Sequence, residues 1–241
     1  MREMLLTLPP TERGPWNATS GGGAWSIQAP SAVDVQFGDI AIGLSRICRY
    51  NGQIREDLDF FSVAEHSVLM TEWAIDHGVV THAEDAMAIL LHDGSEAYFG
   101  DMTTEIKKVL PEYRRLEKQT QACVNEAFGL TGARVMLSAA AIKKIDRRMF
   151  MAEAPQVMHD PANNFLVRQV RQEFPDLQPL GVEIECLTPT LARRQFVDCF
   201  LHCSENMPAR DPQWIAEITH HVEDAKAMLN RALQFSHIPS F

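Results

Sequence analysis

Apolar residues recur at helical spacing along most of the chain, in segments parted by short polar or glycine-containing breaks. Ile40, Leu44 and Ile47 fall at i, i+4 and i+7 and predict a helix over 39–49, ended by Asn51-Gly52. Residues 54–61 are charged and predict a solvated linker. Val63, Leu69, Met70 and Trp73 supply the apolar positions of a helix over 62–76. Thr81, with Glu84 three residues on, reads as a capping box that opens a helix over 83–92. That helix is apolar on nearly every face from Ala86 to Leu91, which places it inside the molecule.

Beyond it, Gly94 and Gly100 flank a short segment bearing Glu96, and Thr103-Thr104 cap a short helix at 105–108. Residues 112–128 form a charged amphipathic helix stopped by Gly129. Ile142, Ile145 and Met149 mark one stripe of a helix over 138–154, which Pro155 terminates. Val182 to Leu187 alternates and predicts a short strand, and helices over 190–203 and 212–236 close the chain. Ahead of all these, residues 1–38 are rich in Gly, Pro, Ser and Thr, with an extended piece at 32–37. They read either as a poorly ordered terminus or as an arm over the active-site mouth or a partner subunit. The expected fold class is all-α, a helical bundle with a minor β element: an arm at 1–38 and one helical domain at 39–241.

Composition narrows the function classes. A net charge of −10 over 241 residues argues against general binding to nucleic acid polymers, which need a basic face, but leaves room for a small phosphorylated ligand in a local basic pocket. Five cysteines without a regular framework point to a reducing compartment. The apolar run near Met1 is too short for a signal peptide, and no stretch approaches the roughly 18–20 apolar residues of a membrane span. A soluble, cytoplasmic protein is expected.

The candidate chemistry lies at His66, at the doublet His92-Asp93 and at Asp146. Two imidazoles and two carboxylates, drawn from three predicted helices, are a set able to hold one divalent transition metal such as Mn, Co, Fe, Ni or Zn. Asp93 follows the apolar run Ala88-Ile89-Leu90-Leu91, where an ionised carboxylate is costly unless paired or coordinating. Neighbours on a regular helix point about 100° apart, so His92 and Asp93 reach one ion only near a helix end, which Gly94 supplies. Cys199, His202 and Cys203 have ligand-like spacing but sit on an amphipathic helix, where the two cysteines read as core, and His220-His221 reads as surface.

The order H…HD…D resembles the HD superfamily of metal-dependent phosphohydrolases. Arg49-Tyr50, Ser62 to Ser67, His92 to Glu96, Gly100 to Thr104, and Asp146 with Glu153 beyond follow the order of its bacterial 5′-deoxynucleotidases. Phage deoxynucleoside triphosphohydrolases of the same subgroup look alike. The likeness covers 39–153 and leaves 155–241 without a motif. It implies His66, His92, Asp93 and Asp146 as metal ligands, and Glu96 as general acid or base. Glu96 also reads as a solvated carboxylate at a helix end. By the same likeness Asp101 is a second acidic group near the phosphate or sugar, its other reading being a turn residue. Arg49 is implied as the phosphate-binding arginine, although Tyr50 stands where some members have tryptophan. Arg46, three residues earlier, is a second candidate, and Lys107 and Lys108 read either as assisting groups or as solvated surface lysines. No histidine lies between Asp93 and Asp146, unlike in two-metal members, so a single ion is expected.

The expected activity is release of phosphate from deoxynucleoside 5′-monophosphates by a homodimer. Triphosphate release from deoxynucleoside triphosphates is the alternative, and a non-catalytic nucleotide-sensing module is an alternative of another class.

Overall fold

Ser62 opens the helix around which the others pack. Its Oγ accepts the Glu65 N–H at 3.0 Å, which caps α2 (Val63–Asp76). Ten of the fourteen residues of α2 are buried, so almost every face meets protein. The computed structural model describes residues 7–235; residues 1–6 and 236–241, the start of the arm and the end of the last predicted helix, lie outside the described residues. Around α2 stand α1 (Phe37–Arg46), α3 (Ala83–Leu90), α7 (Ala139–Val157) and α9 (Pro189–Leu201). Between α3 and α7 the chain forms α4 (Glu96–Phe99), α5 (Thr104–Val109) and α6 (Pro111–Ala127). Helix α8 (Phe165–Glu173) follows α7, and α10 (Pro212–Phe235) follows α9. Among the described residues the β structure is one antiparallel hairpin, β1 (Trp16–Ala18) with β2 (Ala24–Ser26), in which Trp16 faces Ser26. The all-α class with a minor β element is therefore what the chain adopts. No helix among the described residues is long and apolar enough to cross a membrane.

The β element lies elsewhere than expected. Residues 182–187 form no strand. The N–H groups of Glu185, Cys186 and Leu187 instead converge on the buried carboxylate of Glu65, at 2.9, 3.0 and 2.9 Å. Cys186 takes a left-handed conformation (φ 55°) to bring them there, so a side chain replaces the neighbouring strand as acceptor. The expected capping box is also absent. His82 is the N-cap of α3 and its side chain makes no capping bond, while Glu84 accepts the Asp211 N–H at 3.0 Å and ties the approach to α10 onto α3. Pro155 does not stop α7, which continues to Val157; near a helix end a missing N–H forfeits little. Phe61 in the expected solvated linker is fully buried.

The described part of the arm packs against the helices and contributes no residue to the lining of the cavity beside the candidate site. Residues 32–34 form a 3-10 turn, not an extended piece, and Phe37 already opens α1. Trp25 is fully buried and stacks on Tyr98 of α4 with centroids 4.1 Å apart. Ser20 Oγ and the Gly21 N–H both donate to Asp39 at 2.7 Å, which fixes the hairpin loop to α1. Buried Arg13 pairs with Asp34 at 2.7 Å. Cys199 and Cys203 are core residues, as expected. His221 is not at the surface: it is 1% exposed and stacks on Phe128 at 4.1 Å.

Candidate metal centre

The helix ends place the candidate ligands. His66 lies in the first turns of α2, beyond the Ser62 cap. Helix α3 stops at Leu90, so His92 and Asp93 occupy the tight turn that follows, where the Gly94 N–H donates to Leu91 O at 2.9 Å. A side chain on Gly94 would come within 3.0 Å of Val124, so the turn is built for glycine. Asp146 comes from α7. The ligand atoms of His66, His92 and Asp146 all lie within 4.8 Å of one another, and His66 Nε2 is 3.5 Å from Asp146 Oδ1.

Both imidazoles are oriented from behind. His92 Nδ1 lies 2.8 Å from the Ile89 carbonyl, which can only accept, so that nitrogen carries the proton. His66 Nδ1 lies 2.5 Å from Glu153 Oε1. Each ring thereby turns its Nε2 toward the Asp146 side; His66 Nε2 is buried without a hydrogen-bond partner, and His92 Nε2 faces Asp93. Two imidazoles converging beside a carboxylate form a group that can hold a metal ion. Asp93 stands at the edge of this trio. Its Oδ2 is 3.1 Å from His92 Nε2, 4.0 Å from His66 Nε2 and 4.0 Å from Arg49 Nη1.

The electrostatics push these carboxyls in opposite directions. Burial pushes Asp93 upward, but His92, His66 and Arg49 outweigh it and hold the group well below the usual carboxylate range. Asp146 is likewise lowered against the effect of burial, by Lys143 at 2.5 Å and by the two histidines. Glu96 goes the other way. It is 4% exposed, and burial followed by repulsion from Asp93 and Asp101 raises it well above the normal value. A solvated helix-end carboxylate is therefore not what Glu96 is.

A cavity of about 410 Å³ opens in front of this group. Arg49, Asp93, Glu96, Asp101, Lys107, Lys108 and Asp146 all line it. Arg46 does not. Helix α1 ends at Arg46 and Arg49 starts a separate 3-10 turn, so their three-residue spacing does not put them on one face, and Arg46 is exposed. Arg49 gives one arm to Glu153 at 3.1 Å, while its Nε is buried without a partner. Lys107 is shared between Glu117 at 2.5 Å and Glu96 at 3.5 Å. Asp101 accepts the Tyr50 N–H at 3.3 Å. Tyr50, Asn51 and Gly52 are all left-handed, with φ of 57°, 53° and 74°. Two of these are not glycine, which is strained backbone at the rim of a candidate site.

Glu153 is the buried group behind the candidate ligands to which the sequence assigned no role. It is fully buried and accepts from His66, Arg49 and the Tyr50 hydroxyl together. Burial opposes its charge, yet Arg49 and His66 pull its pKa down to about 2. The available signal was its spacing: seven residues after Asp146 is two helical turns, which puts both carboxylates on one face of α7.

No family model matches the chain. A stretch of 97 residues, 40% of the chain, is 37% identical to the uncharacterized protein YfdR of Escherichia coli and spans 49% of that protein's own length. A longer stretch of 143 residues, 59% of the chain, is 33% identical to the uncharacterized protein RCAP_rcc00048 of Rhodobacter capsulatus and spans 72% of it. At that identity and coverage the chain belongs to the same family as the Rhodobacter capsulatus protein.

Proposed function

We propose that this chain is a metal-dependent phosphohydrolase of nucleotides, and within that class a 5′-deoxynucleotidase. The observation that carries the reading is the convergence of the His66 and His92 imidazoles with Asp146 into a group that could hold a metal ion, beside the buried Glu96, whose pKa is raised. The resemblance of the H…HD…D order to the HD superfamily supports it. His66, His92 and Asp146 would hold one divalent ion, with Asp93 as the fourth ligand. Bound there, such an ion would polarise a phosphoryl oxygen and make water a nucleophile near neutral pH.

The chain's own groups account for the rest. Hydrolysis joins a water oxygen to phosphorus, breaks the ester P–O bond and puts a proton on the leaving oxygen. Glu96, raised by burial, is suited to donate that proton and to recover one from water. The unpartnered Nε of Arg49 offers a donor to the phosphoryl oxygens, and Glu153 holds that guanidinium in place. Asp101, already tied to the Tyr50 backbone, offers its other oxygen to a sugar hydroxyl.

The test is a panel of deoxy- and ribonucleoside mono- and triphosphates, incubated with Mn²⁺ or Co²⁺ and resolved by product, for wild type and Asp93→Ala. Phosphate from the deoxynucleoside monophosphates, lost in the variant, is the expected result. Triphosphate release would move the assignment to a triphosphohydrolase. Absence of metal-dependent turnover on every nucleotide would sink the reading.

A further inference from the structure

Residues 91–95 join α3 to α4, and two candidate ligands, His92 and Asp93, lie among them. The turn belongs to no sheet, so its backbone groups find partners elsewhere. One side chain of α6 serves two of them. Gln121 Nε2 donates to the Leu91 carbonyl at 2.8 Å, and Gln121 Oε1 accepts the Ser95 N–H at 2.9 Å. A carbonyl only accepts and an N–H only donates, so the amide has one workable orientation. Its second N–H goes to Asn125 Oδ1 at 3.0 Å, one turn further along α6. Leu91 and Ser95 bracket His92, Asp93 and Gly94, so the amide holds the turn at both ends. Val124 of the same helix closes on Gly94, where an added Cβ would lie 3.0 Å from its Cγ1. The polar face of α6 continues toward its N-terminus at four-residue spacing: Glu117 pairs with Lys107 at 2.5 Å, and Tyr113 donates to the Gly100 carbonyl at 3.0 Å. No residue of α6 lines the cavity itself, so whatever this face does for the site it does through its neighbours.

From this grip we infer that Gln121 is a positioning residue for the candidate metal centre: its amide sets the 91–95 turn and, through it, the aim of the His92 ring and the Asp93 carboxylate. The inference rests on the metal-dependent reading above and adds the group that holds its ligand doublet. Leu91 and Ser95 are buried, so their carbonyl and N–H need partners within the protein. Remove the amide and both must turn toward others, and the peptide planes between them rotate. His92 and Asp93 lie in that span, so the same rotation carries them off the point that His66 and Asp146 define. Ligands serve one ion only when held to within about 0.5 Å, so a small rotation suffices.

The experiment titrates the full chain with Co²⁺ and with Mn²⁺ by calorimetry, records the visible absorption of the Co²⁺ form, and measures urea unfolding of the metal-free proteins. Gln121→Met keeps the length of the side chain and removes both the donor and the acceptor. It is expected to weaken binding of either ion about tenfold and to shift the Co²⁺ bands, as loss of a group supporting metal ligands does. Gln121→Asn keeps an amide one methylene too short to reach Leu91 and Ser95 together, and is expected to lose at least about threefold; it decides the matter alone if Gln121→Met fails to fold. A merely structural amide would lower the urea midpoint and leave the affinity and the spectrum of the folded protein unchanged. Binding within threefold of wild type with an unshifted spectrum therefore overturns the inference and leaves the phosphohydrolase reading intact. If wild type binds the ions but turns over no nucleotide, the phosphohydrolase reading fails, and the variant affinities still uphold or overturn the role of Gln121. If wild type binds neither ion, the metal centre and the inference fall together.

Discussion

Glu153 accepts hydrogen bonds from His66, Arg49 and Tyr50 while fully shielded from water. Its charge is held by those partners, and its contribution to stability is present above the usual glutamate pKa and fades as pH falls toward about 2. A neutral amide there would keep the shape and lose the charge that anchors the His66 N–H. Glu153→Gln is therefore expected to weaken binding of Mn²⁺ or Co²⁺ by about 10- to 100-fold, as removal of such supporting carboxylates does at other metal sites. Calorimetric titration of both proteins measures it, and a change below threefold would remove Glu153 from the centre. Residues whose chemistry is unusual for their place in the apolar pattern are legible in the sequence: His66, His92, Asp93 and Asp146 stand out because helical runs put them inside. Arg46 is misplaced by the same logic, because a three-residue spacing means a shared face only while the helix continues, and here it ends at Arg46.

At the scale of elements, Glu96 depends on how closely α1 approaches α4. A Cβ at Gly43 would lie 2.8 Å from the Ala97 Cβ and 2.9 Å from its Cα, so the two helices meet with no room for a methyl group. Backbone on the far side of the contact cannot rotate away. Gly43→Ala must then push α4 outward, and Glu96 is its first residue. The expected cost is about 1–3 kcal/mol in urea unfolding and, on the proposed phosphohydrolase reading, a lower kcat. An alanine variant as stable and as active as wild type would show that α4 is free to shift. Helix existence is legible from the periodicity of α2, α3, α6 and α10, because burial follows the apolar stripe. Their connections are not. Glu84 reads as a local cap but serves a residue 127 positions away, and the donors of 185–187 find Glu65 in place of a neighbouring strand. Both are choices of a carboxylate among competing donors, and the competition is settled by tertiary packing.

Among the described residues one buried histidine, His221, lies outside the candidate site. His221, on α10, stacks against Phe128 and faces the His220 ring at 3.8 Å. Adjacent histidines late in an acidic chain give no hint of this, just as nothing near Trp25 announces that the arm is built into the core; both burials are long-range contacts. Burial, and next the neighbouring His220, lower the His221 pKa to about 3. The unfolded chain takes up this proton near pH 6.5, whereas the folded protein does not until about 3. The sign follows: stability is fully present above pH 6.5 and declines as pH falls from there toward 3, because the unfolded state binds more protons across that window. Between pH 7 and pH 5 the loss is about 2 kcal/mol from this residue. His221→Phe keeps an aromatic ring against Phe128 and removes the titration. Urea midpoints for both proteins at the two pH values isolate the term, since every other ionisable group, the candidate ligands included, is common to them. The variant should lose about 2 kcal/mol less than wild type on acidification. Parallel losses would place the proton uptake on other groups, with His221 accepting its charge inside the fold.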